Sequence, residues 1–548
     1  MLGDRILRAK TNLRFWLTLA AICAVYFIGL GRMPLVGPDE PRYAQVAREM
    51  YVRGDFVTPT LGGHTWFEKP ALLYWLMIGA YRLYGVSEFA ARFGSALAGV
   101  FAALMIFWLG QRIARASDET LKSAGEFSGF VFATSLGAIV FSRGASFDML
   151  LTATVTLALV SFFLADLEER RRLLYLGCFY VALGLGLLAK GLVGIALPLG
   201  VISLYSLMQG RLLETARRSG WWWGAPLTLA TAALWYGPVI ARHGWLFVDE
   251  FFLQHHFARY LSNKYHHPQP FYFYLPVIAL LTLPWTPVLV SALVALRRTD
   301  RSTGDVVDRA KLFAAFWLIV PIAFFSFSGS KLPGYVLPSL PGAAVLVGLH
   351  LAERSRRADG GRWIAVALGL LFIALGVGGT IYAVRVERTS FLCAGLVAVV
   401  LVLVGVRSLL VARFRSLDVW WTGGAVLASI FLISLCAAES VALRHSTRDL
   451  LRRADALGFG QAPILNLHTV ERTAEFYGAG RIVYDERGEP LKLEGTFQVA
   501  DIAAAHGGPA LVFVPTEHAH QLNEDARLRA EKIGDNGQVA LFVVRAKR

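Results

Sequence analysis

The chain passes from "FWLTLAAICAVYFIGLG" (residues 15–31) almost at once into "GPDEPRYAQVAREM" (residues 37–50). The first stretch is apolar and close to the roughly 20 residues that carry a helix across a bilayer. The second sets two carboxylates, Asp39 and Glu40, at the mouth of that span, with Arg42 and Tyr43 on the next turn. From Pro41 onward, apolar residues fall at Tyr43, Val46, Ala47, Met50 and Tyr51, while Arg42, Arg48, Glu49 and Arg53 take the remaining surface. This spacing predicts an amphipathic helix lying on the membrane face, with Pro41 in its first turn. Acidic residues at a helix start also read as plain capping. A cap needs one short polar residue, whereas here two carboxylates, an arginine and a tyrosine crowd one point beside the lipid.

The rest of the chain continues as that first span begins. Of 548 residues, 55% are hydrophobic and only 17% charged, and the mean hydropathy is +0.51. A soluble fold of this length cannot hide so much apolar surface, so the chain reads as a polytopic membrane protein. Further candidate spans lie near 88–111, 124–141, 148–165, 173–189, 192–208, 221–241, 271–296, 312–328, 335–352, 363–384, 390–411 and 418–438. With the first, this makes about thirteen. Residues 71–85, "ALLYWLMIGAYRLYG", are apolar but short and read as a helix in the interface.

The net charge of +15 comes from basic residues gathered in alternate loops: Arg5 to Arg14, Arg112 to Lys122, Arg170 to Arg172, Arg211 to Arg218, Arg297 to Lys311, Arg354 to Arg362, and Arg413 with Arg415. Such loops face the cytoplasm. Their scatter excludes nucleic acid as a partner. The N-terminus is then cytoplasmic, the first helix uncleaved, and the segments 34–87 and 242–270 lie on the opposite side together with the C-terminus. The cysteines, Cys23, Cys178, Cys393 and Cys436, all sit inside apolar runs and read as buried thiols without a disulfide. Residues 440–548 differ in kind. The β-rich runs "PILNL", "RIVYDE", "PALVFVP" and "QVALFVVR" alternate with helical-looking segments such as "STRDLLRRADALG" and "HAHQLNEDARLRAEKIG". This is the pattern of a small α/β domain outside the membrane.

On the non-cytoplasmic side, chemistry-bearing residues recur in short turns. "WFEKPALLYW" brings Glu68 and Lys69, and "SRGASFDMLLT" brings Arg143 and Asp148. "LLAKGLVG" brings Lys190, and "SGSKLPGYVLPSLPG" brings Lys331 and Tyr335. Each has a bland reading: Lys69 as a snorkelling lysine, Asp148 as a cap. An ionisable residue such as Lys190, deep in apolar sequence, is costly and marks a role. The loop "EFFLQHHFARYLSNKYHHPQPFYFY" adds Arg259 and two histidine pairs, His255–His256 and His266–His267. With Glu68, His255, His256 and His267 form a candidate zinc site, although no standard ligand spacing is present. Together, the carboxylates Asp39, Glu40 and Asp148 stand as catalytic candidates. Lys69, Lys190, Arg259 and Lys331, with Arg42, Tyr43 and Tyr335, stand as candidates to bind an anionic phosphate leaving group.

The run "PDEPRYAQVAREM" after a span, then "FEKP", the "FD" turn, "AKG", the His/Arg loop and "GSKLPGYVLP" resemble the polyprenyl-phosphate-dependent glycosyltransferases of the GT-C class. Within that class they are most similar to the subfamily that moves aminoarabinose from undecaprenyl phosphate to lipid A. More distant relatives are the protein O-mannosyltransferases, and a mannosyltransferase-like enzyme is the alternative reading. The likeness covers roughly residues 1–440. It implies an all-α polytopic membrane domain over 1–439 of GT-C type, followed by the small α/β periplasmic domain over 440–548. It also implies a multi-pass enzyme of the bacterial inner membrane, acting as a monomer with inversion at the sugar. Asp39 would be the catalytic carboxylate, and Lys69, Arg259 and Tyr335 would hold the lipid phosphate. The implied partners are an undecaprenyl phosphate-linked sugar, lipid A as acceptor and membrane lipid, with polymyxin resistance as the outcome. No cofactor is required, because a monophosphate leaving group can be met by side-chain cations.

Overall fold

The apolar runs fold as helices that bury one another's faces. The computed structural model describes residues 16–117, 121–258, 269–298, 305–357, 361–412 and 419–547. Among these, seven helices are long and apolar enough to cross a membrane: Glu88–Ala116, Phe147–Leu167, Glu169–Lys190, Pro333–Ser355, Arg362–Arg385, Phe391–Val411 and Val419–Cys436. Two bent pairs raise the number to nine if each is one span, and Trp16–Phe27 and Val193–Met208 are shorter apolar helices. The bundle core includes the fully buried Tyr26, Phe132, Phe163, Trp285 and Trp317.

The stretches 124–141 and 271–296, expected as single spans, are broken. Ala124–Ala133 and Leu136–Arg143 meet at 55°, and Phe271–Leu281 and Thr286–Ala295 at 114°. Pro284 and Pro287 deprive the second pair of backbone donors where it turns. The two breaks satisfy each other: the Leu136 N–H donates to the Leu283 carbonyl at 2.9 Å, and the Trp285 indole to Thr134 Oγ1 at 3.0 Å. The segment expected as a span over 221–241 runs as helix from Trp221 to Val248 through a non-helical Gly244. It passes into a π-helical stretch, Asp249–Ala258.

Outside the bundle, the helices Asp39–Arg53 and Leu72–Tyr84 form as expected. A second apolar cluster joins them: Leu35, Tyr43, Val46, Met50, Tyr74 and Phe147 pack with Phe476 from the C-terminal part. Between the two helices, β1 (Thr60–Leu61) and β2 (His64–Thr65) pair antiparallel across Gly62 and Gly63, both at positive φ.

The C-terminal part is built on a five-stranded sheet of β3 (Ile464–Leu467), β4 (Lys492–Leu493), β5 (Ala510–Pro515), β6 (Leu528–Asp535) and β7 (Val539–Ala546), in the order β4-β3-β5-β7-β6. β3 is parallel to β4 and β5, and β7 is antiparallel to β5 and β6. Both faces are covered, by the cluster of Leu465, Val512 and Phe542 on one side and that of Ile464, Phe513 and Leu541 on the other. Two readings need correction. "RIVYDE" makes only isolated bridges, Ile464 with Ile482 and Tyr484 with Pro490. "HAHQLNEDARLRAEKIG" is helical only over His520–Glu524, and its second half is β6. "LRAEKI" lies at the sheet edge, where exposed Arg529, Glu531 and Lys532 are tolerated and discourage further pairing.

The cysteine reading is also corrected. Cys23 and Cys178 are free, but Cys393 and Cys436 form a disulfide with Cα atoms 5.9 Å apart. They sit at the start of Phe391–Val411 and the end of Val419–Cys436, so the bond ties those two helix ends together.

Candidate active site

The segment before the Asp39–Arg53 helix is set by one buried arginine. Arg92, inside the span Glu88–Ala116, donates to the carbonyls of Leu30 at 2.8 Å, Met33 at 2.7 Å and Pro34 at 2.8 Å. It also pairs with both oxygens of Glu40, at 3.0 and 2.7 Å. Glu40 accepts further bonds from the N–H groups of Ala145 at 2.7 Å and Val36 at 3.1 Å. Burial opposes its charge, but Arg92 and these two N–H groups outweigh it and hold its carboxyl below the ordinary value. Glu40, read from sequence among the reacting carboxylates, is thus occupied in fixing the segment. Arg92 was overlooked, although a charge inside an apolar run is itself a signal.

Asp39 differs. The helix has Pro38 at its N-cap and no side-chain cap bond, so Asp39 is not spent on capping. Its side chain is 53% exposed and pairs with Arg42 at 2.7 Å. Arg42 also donates to the Pro38 carbonyl at 2.8 Å, lies over the Trp66 ring and stands 4.0 Å from Glu68. Glu68 in turn accepts from Lys69 at 2.5 Å. Burial penalises the Arg42 cation, yet Glu68 and Asp39 hold its pKa above the ordinary value. Tyr43 is buried edge-on against Phe147, with ring centroids 4.8 Å apart.

Asp148 and Lys190 come from neighbouring helices. Ser146 Oγ accepts from the N–H groups of Asp148 at 3.1 Å and Met149 at 3.4 Å and so supplies the cap of Phe147–Leu167. The Asp148 carboxylate is left for Lys190, which donates to it and lies 4.5 Å from the Tyr335 ring centroid. The turn carrying Tyr335 comes so close that a Cβ on Gly334 would run into the Asp148 carboxylate. Lys331 does not join this group. It is buried and donates to the Ser328 carbonyl at 2.7 Å, the partner a buried ammonium needs.

Asp39, Glu40, Arg42, Tyr43, Glu68, Lys69, Asp148, Lys190 and Tyr335 all border one cavity of about 590 Å³. Val140, Phe141, Val193, Phe325 and Leu332 supply apolar wall. Every cation on this wall has an acid beside it: Arg42 with Asp39, Lys69 with Glu68, Lys190 with Asp148. An incoming phosphate therefore competes with a carboxylate for each ammonium. Arg259 and His267 lie outside the described residues, as do the side chains of His255 and His256 on the π-helical stretch. Among the described residues no three His, Cys, Asp or Glu side chains gather as a metal site.

Residues 13–248 match the family described as dolichyl-phosphate-mannose-protein mannosyltransferase. The undecaprenyl phosphate-alpha-4-amino-4-deoxy-L-arabinose arabinosyl transferase 2 of Pseudomonas fluorescens is 32% identical over 436 residues, 77% of this chain and 75% of that protein. The corresponding transferase of Pseudomonas aeruginosa is 35% identical over 350 residues, 62% of this chain and 60% of that protein. Among solved structures, ArnT from Cupriavidus metallidurans bound to undecaprenyl phosphate superposes with a TM-score of 0.79 at 23% identity, covering 96% of this chain and 97% of that one. The likeness in sequence and in fold along most of the chain places the protein that carries this cavity: it belongs to the undecaprenyl phosphate-aminoarabinose arabinosyl transferase family and is a membrane glycosyltransferase.

Proposed function

We propose that the enzyme moves 4-amino-4-deoxy-L-arabinose from undecaprenyl phosphate to phosphate groups of lipid A, with inversion, and so weakens the binding of polymyxin-like cationic peptides. The observation that carries this reading is the half-exposed carboxylate of Asp39 in the same cavity as Lys69, Lys190 and Tyr335. Cleaving the sugar–phosphate bond develops positive charge on the sugar and negative charge on the departing lipid phosphate. Lys69 and Lys190 meet the second charge, with Arg259 as a further candidate to hold it. The phosphate takes the place of Glu68 and Asp148 on the two ammonium groups as it arrives. The apolar wall of Val140, Phe141, Val193 and Phe325 suits the prenyl chain.

A lipid A phosphate is already anionic, its second pKa being about 6, so it needs no general base. Asp39 accordingly acts through its charge on the sugar, toward the anomeric centre or the amino group. The reaction draws its positive charge from side chains and needs no metal. If His255, His256 and His267 hold zinc with Glu68, that ion serves structure.

In the setting we infer, about thirteen helices cross a bacterial inner membrane, with the N-terminus cytoplasmic and residues 440–548 a periplasmic domain of a monomer. The Cys393–Cys436 disulfide lies at the bundle end from which that domain follows, and disulfides persist in oxidising compartments such as the periplasm. Purified protein given the undecaprenyl phosphate-linked sugar should add one aminopentose to lipid A, read by mass spectrometry, at a rate a chelator leaves unchanged. Modification of a Ser/Thr peptide in place of lipid A would overturn the assignment in favour of protein glycosylation.

A further inference from the structure

The segment that delivers Asp39 packs inward through Pro34 and Leu35 and is open on its other side. Met33, Val36, Gly37 and Pro38 border a second cavity, of about 690 Å³. Gly37 sits at φ +68 with nothing within 4 Å of the place a Cβ would occupy. Polar anchors hold it in addition to that packing. Arg92 and Glu40 supply those from the bundle. Others come from the C-terminal part, more than four hundred residues away in sequence: Leu35 and Tyr477 are separated by 442 positions.

The Leu35 N–H donates to the Tyr477 hydroxyl oxygen at 2.7 Å, and that hydroxyl donates to Glu88 Oε1 at 3.1 Å. Beside it, Arg448 donates to the Arg32 carbonyl at 2.9 Å and stands 3.5 Å from the same Glu88 oxygen. Burial raises the Tyr477 pKa above its ordinary value, so the hydroxyl keeps the proton it gives to Glu88. The short helix bearing it, Thr473–Tyr477, also grips the Asp39–Arg53 helix farther along. Arg48 donates to the Phe476 carbonyl at 3.3 Å, and the Phe476 ring enters the cluster with Tyr43 and Met50.

We propose that Tyr477 is a positioning residue for Asp39, its hydroxyl bridging the Leu35 amide and Glu88 so that the segment ending at Pro38 holds the carboxylate in the cavity. The C-terminal part thereby completes the active site without touching substrate. This rests on the reading of Asp39 as the charge-bearing catalytic group. The lipid phosphate is held by Lys69 and Lys190, and the Tyr477 hydroxyl bonds Leu35 and Glu88 rather than either lysine, so the loss on removing the hydroxyl falls on turnover.

The experiment uses the full-length protein in detergent and compares Tyr477→Phe with wild type, Asp39→Ala and Tyr484→Phe. Tyr484 packs against His64, at 6.3 Å between ring centroids, and the hydroxyl that accepts from the Leu35 amide is that of Tyr477 instead. A misplacement of the reacting group predicts kcat lowered ~10-fold with the donor KM within about two-fold of wild type. Hydrogen exchange should rise at least ~5-fold in peptides covering 30–38 but not in those covering 88–116. Tyr484→Phe should leave both readouts unchanged. If Tyr477→Phe does not fold, Glu88→Ala should show the same split, and Glu88→Gln, which keeps an oxygen to accept the hydroxyl, should restore most of the rate. Wild-type kcat in Tyr477→Phe, or equal loosening of all peptides, overturns the proposal while an inactive Asp39→Ala leaves the reading of the site standing. An active Asp39→Ala overturns both.

Discussion

Asp39 and Glu40 are adjacent and chemically alike, yet the fold gives them opposite work. Glu40 spends its oxygens on Arg92 and two backbone amides, while the Asp39 carboxylate stays half exposed and, among the described residues, accepts a hydrogen bond from Arg42 alone. If Asp39 acts through charge, Asp39→Asn should be as damaging as Asp39→Ala, each lowering kcat by at least ~10²-fold. An Asp39→Asn enzyme of near-normal rate would leave only hydrogen bonding for that carboxyl. The opposite wall offers a second test. Gly334 is in place because no side chain fits between its turn and the Asp148 carboxylate. Gly334→Ala must push Asp148 off Lys190 or move the Tyr335 ring from above it. The expected result is kcat down ~10-fold with the fold retained, measured by transfer rate alongside thermal unfolding.

At the scale of elements, the joint between the Asp39–Arg53 helix and the span Glu88–Ala116 combines apolar packing with the ion pair of Arg92 and Glu40, both side chains largely buried. Breaking such a pair by removing one partner costs about 3–5 kcal/mol. Arg92→Lys leaves a charge but cannot reach three carbonyls and a carboxylate at once, so a large fall in Tm is expected from this nominally conservative change. Glu40→Gln should also lower Tm near neutral pH. Because the Glu40 carboxyl is held below its ordinary value, its contribution is present above roughly pH 4 and disappears as pH falls through the folded value. The wild type and Glu40→Gln should therefore converge in acid, and a gap that persists there would show the pair does not supply the difference. The same joint marks how far the sequence could be read. Helical periodicity after Pro41 and the polar turns at Glu68–Lys69, Asp148 and Lys190 were legible because charges beside apolar runs stand out. The assignment of Glu40 to structure was not, since its partner lies 52 residues away. Nor was the turning inward of Lys331, which depends on a local carbonyl. The disulfide escaped notice because two cysteines in separate apolar runs share an end only once the helices have packed.

For the whole molecule, the consequence is that the sheet-bearing C-terminal part and the membrane bundle meet at the Asp39–Arg53 helix and share buried charge there. Glu475 shows this most sharply. Its side chain is 0% exposed. One oxygen pairs with Arg472 at 2.9 Å, and the other finds no hydrogen-bond partner among the described residues. Burial pushes its carboxyl up to about 7, against the pull of Arg472 and of Arg42 in the cavity wall. A carboxyl whose folded pKa is raised binds its proton more tightly in the native state, so the stability it lends is full below the unfolded value of about 4.3. That stability is lost as pH climbs through 7, where the native protein must carry a buried charge. Glu475→Gln imitates the protonated form at every pH. It should match the wild type in thermal unfolding at about pH 5 and exceed it by roughly 2–4 °C at about pH 8, with the gap opening across the pH range between the two pKa values. A Glu475→Gln protein less stable than wild type at the higher pH would mean that the ionised carboxylate, drawn to Arg42, is an attractive tie between the C-terminal part and the active site. Its charge would then belong to the electrostatics of the cavity.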